Sequence, residues 1–234
     1  MSETVRLPPP YRLRSLPADA LLESQLRRLF AAGADPATVV RLDRDDRLDC
    51  AVLLAPEHPL RRARLIVYAG ALGLGDGLGA VMPPGVDVTF RWPATVLANL
   101  GAVGRIGLVL PDDTDEDSVP RWMALRLTVA VASPADQFET TLHDEGCAGL
   151  AAAHVLESFA RHFLSWVNRW MDDGFEPVRA MWLRHAPDHG KRFALRLGRR
   201  KTEGNFSGID DNGALILEAG DAIRRIDLRV ALGT

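Results

Sequence analysis

One long amphipathic pattern constrains the fold of this chain more than any other feature. Apolar side chains recur every three or four residues through residues 150–171, which predicts a helix of about six turns. Its apolar stripe consists of Ala152, Leu156, Phe159, Phe163, Trp166 and Trp170. Such aromatic stripes are normally buried, so this one indicates a globular core rather than a cofactor-binding face. A second helix is predicted over residues 177–185.

Residues 60–79 also have helical spacing, although glycines interrupt the pattern. These glycines are Gly70, Gly73, Gly75, Gly77 and Gly79. A phosphate-binding loop would need a GxGxxG or GxxxxGK[ST] motif, and the segment contains neither. Glycines in a helical pattern otherwise allow a helix to pack closely against a sheet. We therefore expect a buried helix here.

The remaining apolar patterns predict an α+β fold. A helix is predicted from residue 20 to Gly33, strands over residues 38–42, 50–54, 86–92 and 122–132, and a hairpin over residues 96–110 with its turn at residues 99–101. After Pro187 the pattern changes to short strands at residues 193–197, 204–209, 214–217 and 222–230, which predicts a small β-barrel. We place an α/β domain at residues 1–187 and the barrel at residues 188–234.

Composition and charge limit the classes of function. Hydrophobic residues make up 47% of the 234 residues, enough for a core that needs no metal or disulfide. The net charge is -3, so the charge balance gives no reason to expect a nucleic-acid partner. One basic stretch is either a solvated strand edge or a docking surface for an anionic partner. It contains Lys191, Arg192, Arg196, Arg199, Arg200 and Lys201.

The sequence also bears on localisation and metal binding. It has no leader-like segment, and its longest apolar stretch, residues 65–75, is too short to span a bilayer. Cys50 and Cys147 have no partners at metal-ligand spacing, and Pro187 interrupts the pair His185 and His189. We expect a cytoplasmic protein with no membrane segment and no bound metal, either a monomer or a homodimer.

Four segments, in order, resemble the biotin protein ligase family, which also includes lipoate ligases. Residues 91–99 (RWPATVLAN) resemble its KWPND strand, and residues 140–146 (TTLHDEG) resemble a TSL-x-E-x-G segment. The two predicted helices, with GFEP between them and Trp182 near the end, resemble the family's helix pair. Residues 204–217 (GNFSGIDDNGALIL) are similar to its C-terminal G-x-x-x-GID-x-x-GAL-x-L motif. The order and spacing of all four carry the resemblance, which covers residues 18–230.

The resemblance implies a catalytic domain with a mixed sheet flanked by helices, an SH3-like C-terminal barrel and no N-terminal DNA-binding domain. It also implies a two-step reaction. Biotin and ATP, with Mg²⁺, form biotinyl-5'-AMP, and a lysine of a biotinyl or lipoyl carrier domain then takes the biotin. Backbone amides, arginines and the metal relieve the repulsion between the two anions of the first step.

Several residues that the resemblance leads us to expect are missing. A GRGRRG loop should follow the strand at residues 38–42, but residues 43–49 contain no glycine. Ala102 stands where the family has a ligand-contacting lysine, and Arg105 replaces a glycine of that segment. Ala94 and Thr95 replace the asparagine and aspartate of the WPND motif. Residues 125–129 are bulkier than the family's GIGIN segment.

The candidate site residues follow from this comparison of motifs. Ligand-binding candidates are Arg91, Trp92, Pro93, Asn99, Gly101, Gly104 and Arg105. Phosphate-binding candidates are Arg41, Arg44 and Arg47, which could instead form ordinary ion pairs with neighbouring aspartates. No catalytic residue is assigned. Three functions remain open: an active but divergent ligase, a catalytically silent relative that binds a small acid or a carrier domain, and an adenylate-forming enzyme with another substrate.

Overall fold

The protein folds around one large mixed sheet and one small antiparallel sheet. The structure, a computed structural model, describes residues 5–112, 114–133, 138–198 and 200–233. The first region contains β1 (Arg12–Leu16), α1 (Leu22–Ala31), β2 (Thr38–Leu42), β3 (Arg47–Leu54), α2 (Leu60–Ala63), α3 (Ile66–Val81), β4 (Val88–Arg91), β5 (Thr95–Ala98), β6 (Gly101–Val109), β7 (Met123–Ala130), α4 (Ala152–Asp173) and α5 (Phe175–Arg184). Strand β1 was not predicted from the sequence.

The large sheet has the strand order β1-β2-β3-β7-β6-β5-β4. Strands β1 and β2 are parallel, and the other neighbours are antiparallel. This mixed sheet with flanking helices confirms the predicted fold class. The β5–β6 hairpin turns at Asn99 and Leu100, which both have positive φ, as a two-residue hairpin turn of this hand requires.

Helix α3 is buried between α4 and the sheet, and its glycines allow this close packing. A Cβ on Gly73 or Gly77 would lie within 3 Å of the α4 backbone at Phe163 or Phe159. A Cβ on Gly70 would meet Leu125 of the sheet at 2.8 Å. The prediction of close packing is therefore confirmed, against α4 as well as the sheet. The stretch Leu60–Val81 has the length and hydropathy of a membrane span, but 72% of its most apolar window is buried inside the protein.

The small sheet lies at the C-terminal end of the chain. It contains β8 (Arg192–Leu197), β9 (Arg200–Ile209), β10 (Leu215–Ala219) and β11 (Ala222–Ile226) in the order β11-β10-β9-β8. The predicted strand over residues 222–230 is wrong at its end: Asp227 caps a short helix, α6 (Leu228–Leu232), by accepting a hydrogen bond from the Arg229 amide. An aspartate at this position stops a strand and starts a helix. The boundary near residue 187 stays a prediction.

The two faces of the large sheet differ. Helices α3 and α4 cover one face with the main core, which includes Phe90, Leu127 and Phe159. On the other face, α1 packs through Leu22 and Leu26 onto β2, β3 and β7. The face beyond α1 is therefore where polar side chains of β4, β5 and β6 are accessible.

Candidate ligand site on the open face of the sheet

A row of polar side chains crosses five strands of the large sheet. Arg91, Thr95, Arg105, Thr128 and Asp49 are direct cross-strand partners in that order. Directly paired residues point to the same face, and neighbouring strands are about 5 Å apart. The five side chains, which we call the polar row, are therefore next to one another.

The polar row lies on the face opposite α3 and α4. Strand neighbours of its members, such as Cys50, Ile106 and Leu127, belong to the main core. Successive strand residues alternate between faces, so the row points away from that core. Thr128 and Asp49 are buried at 7% and 4% exposure, whereas Arg105 is exposed. The row thus runs from an accessible end to a buried one.

Arg105 is the cation of this row that has no anionic partner within the described part of the chain. It forms no hydrogen bond or ion pair with any described residue. Arg126, on the same face of β7, instead pairs with Glu23 of α1 at 2.9 Å. A guanidinium without a carboxylate beside it, next to two threonine hydroxyls, can bind a carboxylate or another anion.

Arg91, at the other end of the row, is held between two carboxylates. Its Nη1 is 3.7 Å from Glu139 Oε1, and its Nε is 3.8 Å from Asp188 Oδ2. Both distances are too long for a hydrogen bond, and Asp188 Oδ2 is buried without a hydrogen-bond partner among the described residues. Arg91 therefore points to the face expected from the alternation of β4, but its charge is already balanced.

Glu139 also forms hydrogen bonds with the backbone of Ala102. Its Oε2 accepts a hydrogen bond from the Ala102 amide at 3.2 Å, and its own amide donates to the Ala102 carbonyl at 3.1 Å. The protein thus places its own carboxylate between Ala102 and Arg91.

The three phosphate-binding candidates each pair with an aspartate two residues later. Arg41 contacts Asp43 at 3.0 Å, Arg44 contacts Asp46 at 2.9 Å, and Arg47 contacts Asp49 at 2.6 Å. The hydrogen bond from Arg44 is the main reason that the pKa of the Asp46 carboxyl is lowered. The backbone carbonyl of Asp46 accepts from the amides of residues 131–133, which fixes this turn to the end of β7.

Trp92 faces the core rather than the open face. Its Nε1 donates to the Tyr68 hydroxyl at 2.8 Å, and that hydroxyl donates to the Gly213 carbonyl at 2.7 Å. Burial raises the pKa of Tyr68, so the phenol stays protonated and can donate. Pro93 lies in the turn after β4. The candidate tryptophan therefore links α3, the end of β4 and the C-terminal region.

The remaining candidates have structural contacts. Asn99 lies in the hairpin turn, where its Oδ1 accepts from the Asp87 amide and its Nδ2 donates to Glu145. A Cβ on Gly101 would meet Thr140 at 2.7 Å, and one on Gly104 would meet the Thr128 carbonyl at 3.2 Å. Of the ligand-binding candidates, Arg91 and Arg105 are the two whose side chains belong to the polar row.

The described residues contain no group of three or more His, Cys, Asp or Glu side chains that could hold a metal ion. Burial raises the pKa of the Cys50 thiol, so it stays protonated and is a poor nucleophile. The geometry therefore offers anion binding but assigns no nucleophile or general base.

Comparison with known proteins assigns the family. A model of the biotin/lipoate A/B protein ligase family matches residues 7–184, which is more than half of the chain. The chain belongs to this family. A second model, of the biotin protein ligase C terminal domain, matches residues 188–227. The four-stranded C-terminal sheet agrees with that match and with the predicted SH3-like region.

Individual ligase-family proteins are similar over most of the chain. A biotin protein ligase-like protein of unknown function from Silicibacter is 30% identical, with a TM-score of 0.87 over 98% of this chain and 99% of its own. The biotin--[acetyl-CoA-carboxylase] ligase of Paracoccus denitrificans is 29% identical over 75% of both chains. The biotin protein ligase of Aquifex aeolicus, solved with biotin and ATP, shares the fold at 16% identity and a TM-score of 0.72.

Several residues around the polar row were missed by the sequence analysis. Glu139 and Asp188 flank Arg91 at one end of the polar row and lie outside the family motifs, whereas Thr128 and Asp49 lie in segments where the expected motif is missing. The alternation of Arg126 and Thr128 with apolar residues on β7 was a usable signal. Their position beside Arg105 depends on strand register, which one sequence does not reveal.

Proposed function

We propose that this member of the ligase family is catalytically silent and binds a small carboxylic acid on the polar row. The observation that carries the proposal is the pairing of Arg41, Arg44 and Arg47 with aspartates two residues later, in the β2–β3 turn and the strand ends beside it. An arginine that is already neutralised cannot offset the charge of a triphosphate at little cost.

ATP and Mg²⁺ do not fit the residues present. The turn between β2 and β3 has no glycine to present successive amides to phosphates, because other residues avoid the conformations required. Ala94 and Thr95 offer no carboxylate to a metal. Glu139 lies beside Ala102, where a triphosphate would meet a negative charge. We therefore derive no adenylation step for this chain.

A small acid fits better. Its carboxylate would pair with Arg105, and the hydroxyls of Thr95 and Thr128 would donate the remaining hydrogen bonds to it. Biotin and lipoate are the acids that the family suggests. The family also suggests a carrier domain as partner, and we place the protein in the cytoplasm.

Mass spectrometry of an acceptor domain tests whether the chain is catalytically silent. The protein is incubated with biotin or lipoate, ATP, Mg²⁺ and a carrier domain, beside an active biotin protein ligase as control. We expect the mass of the acceptor to stay unchanged with this chain. Rapid labelling would instead establish the second candidate, an active divergent ligase, which the similarity to the Paracoccus enzyme favours.

Calorimetric titration with biotin and with lipoate, without ATP, tests acid binding. Removing a charge-assisted hydrogen bond should cost about 1.5–3 kcal/mol, so Arg105→Ala should weaken binding at least about tenfold. Arg121→Ala is the matched control, because Arg121 is also exposed but lies outside the polar row. Equal affinities of the two variants would place the acid elsewhere.

A further inference from the structure

The C-terminal sheet is open between its two edge strands. In the order β11-β10-β9-β8, neither β8 nor β11 pairs with a further strand among the described residues. A groove of about 710 Å³ lies between them. Its apolar floor is formed by Leu197, Ile226 and Val230, and its basic rim by Lys201, Arg224 and Arg225.

Strand β11 is an accessible edge strand. Its residues from Ala222 to Arg225 are all exposed, and the side chain of Ile223 is 64% exposed. Val230, on the adjacent α6, is 52% exposed. Exposed apolar edges normally recruit another strand unless charge protects them. Apolar surface and a free strand edge therefore occur together here.

The positive charges of the rim favour an acidic binding partner. Arg224 forms no ion pair or hydrogen bond with the described part of the chain, and Arg225 is 3.9 Å from Asp210. Asp227, the acidic residue of the groove, already caps α6. A second copy of the chain would place arginine against arginine in those antiparallel β11–β11 registers that are centred on Arg224 and Arg225, so the test below includes a dimer among its outcomes.

We propose that an extended acidic protein segment binds this groove as a fifth strand along β11. Its backbone would pair with the free edge, one apolar side chain would lie on Ile226 and Val230, and carboxylates on its two faces would meet Arg224 and Arg225, which point to opposite faces of β11. This binding mode combines backbone hydrogen bonds for affinity with alternate side chains for specificity. The surface is separate from the polar row, so the proposal does not depend on the proposed function. Arg199, part of the basic stretch noted in the sequence, lies outside the described residues.

Fluorescence anisotropy tests this docking surface. The probe is a fluorescein-labelled peptide of glutamate and valine with glutamates on both faces of the extended chain, about six residues long, the usual length of a strand. We expect binding that weakens with added salt and falls at least about tenfold in Arg224→Glu. Arg14→Glu is the matched control, since Arg14 is an exposed arginine on the edge strand β1 and should leave binding unchanged.

Hydrogen exchange distinguishes strand addition from diffuse charge attraction. The bound peptide should slow the exchange of amides in residues 222–226, while amides of β1 stay unaffected. Absence of binding, equal binding to both variants, or binding without this protection would overturn the proposal. A dimer that forms through the same strand, detected by sedimentation and dissociated by Arg224→Glu, would also overturn it in favour of a second copy.

Discussion

Two regions that correspond in position to ligase-family motifs differ in this chain: one has lost its motif and the other has kept it. The turn between β2 and β3 stands where the family has its glycine-arginine loop, and it has become a set of short-range ion pairs. The contact of Tyr68, Trp92 and Gly213, which we call the junction, joins the WP and GAL motifs through buried hydrogen bonds. The residues with a structural role are present, whereas those with a role in phosphate chemistry are absent. Resemblance at the junction therefore reports the fold more than the activity.

Gly213→Ala should disturb the junction most. Gly213 has φ +77°, and a Cβ there would lie 2.8 Å from Leu65 and 2.9 Å from Leu228. Backbone strain and overpacking together should cost about 3 kcal/mol of unfolding free energy. Gly220→Ala separates the two effects, because Gly220 also has positive φ but a Cβ added to it would meet no described atom within 4 Å. Chemical denaturation should show a loss of about 1 kcal/mol for that control. Equal losses would mean that the junction is loosely packed.

Tyr68→Phe should have the next largest effect. It removes the hydroxyl that connects Trp92 Nε1 to the Gly213 carbonyl and leaves these two at 3.3 Å. Loss of buried hydrogen bonds should lower the unfolding free energy by about 1–2 kcal/mol, measured by denaturation followed by tryptophan fluorescence. Tyr11→Phe is the control, because the Tyr11 hydroxyl has no hydrogen-bond partner among the described residues. A change no larger than that of Tyr11→Phe would show that the junction is held by packing alone.

The same contrast explains how much the sequence could predict. The helix over residues 150–171 and the glycine packing of α3 follow from local spacing and apolar surface, so both were predicted. Strand β1 is short and largely polar, and its pairing with β2 depends on a distant segment. It was therefore not predicted. The candidates on the turn were identified by charge, but whether an arginine meets phosphate or aspartate is a matter of geometry. Glu139 lies next to Arg91 and Ala102 only in the folded structure, so the sequence alone did not identify it.

Glu139→Gln tests whether the negative charge beside Arg91 weakens acid binding on the open face. It keeps a side-chain acceptor for the Ala102 amide but removes the negative charge beside Arg91. If a small acid binds the polar row, its affinity should rise roughly three- to tenfold, because Arg91 regains charge for the ligand. Calorimetric titration with biotin measures the change, and Glu57→Gln, at an exposed position in the loop between β3 and α2, should have no effect. Weaker binding in Glu139→Gln would mean that Glu139 contacts the ligand itself.

Asp46→Asn should have the smallest effect and tests whether the turn is only a set of surface pairs. Arg44 lowers the pKa of Asp46 in the folded protein, so this carboxylate stabilises the fold above its unfolded pKa of about 4 and loses that contribution as the pH falls through the folded value. Because the side chain is 35% exposed, we expect about 0.5 kcal/mol at pH 6.

The difference between Asp46→Asn and the native protein should vanish once the pH is below the lowered folded-state pKa of Asp46, where the carboxyl is protonated in both states. Denaturation curves from pH 6 downwards measure it, and Asp45→Asn, one residue away and exposed, serves as the control. The backbone carbonyl that anchors the turn to β7 is unchanged by the substitution. A loss near about 3 kcal/mol at pH 6, the scale of breaking a buried pair, would therefore mean that the side-chain pair itself holds the turn, and the turn would be as structural as the junction.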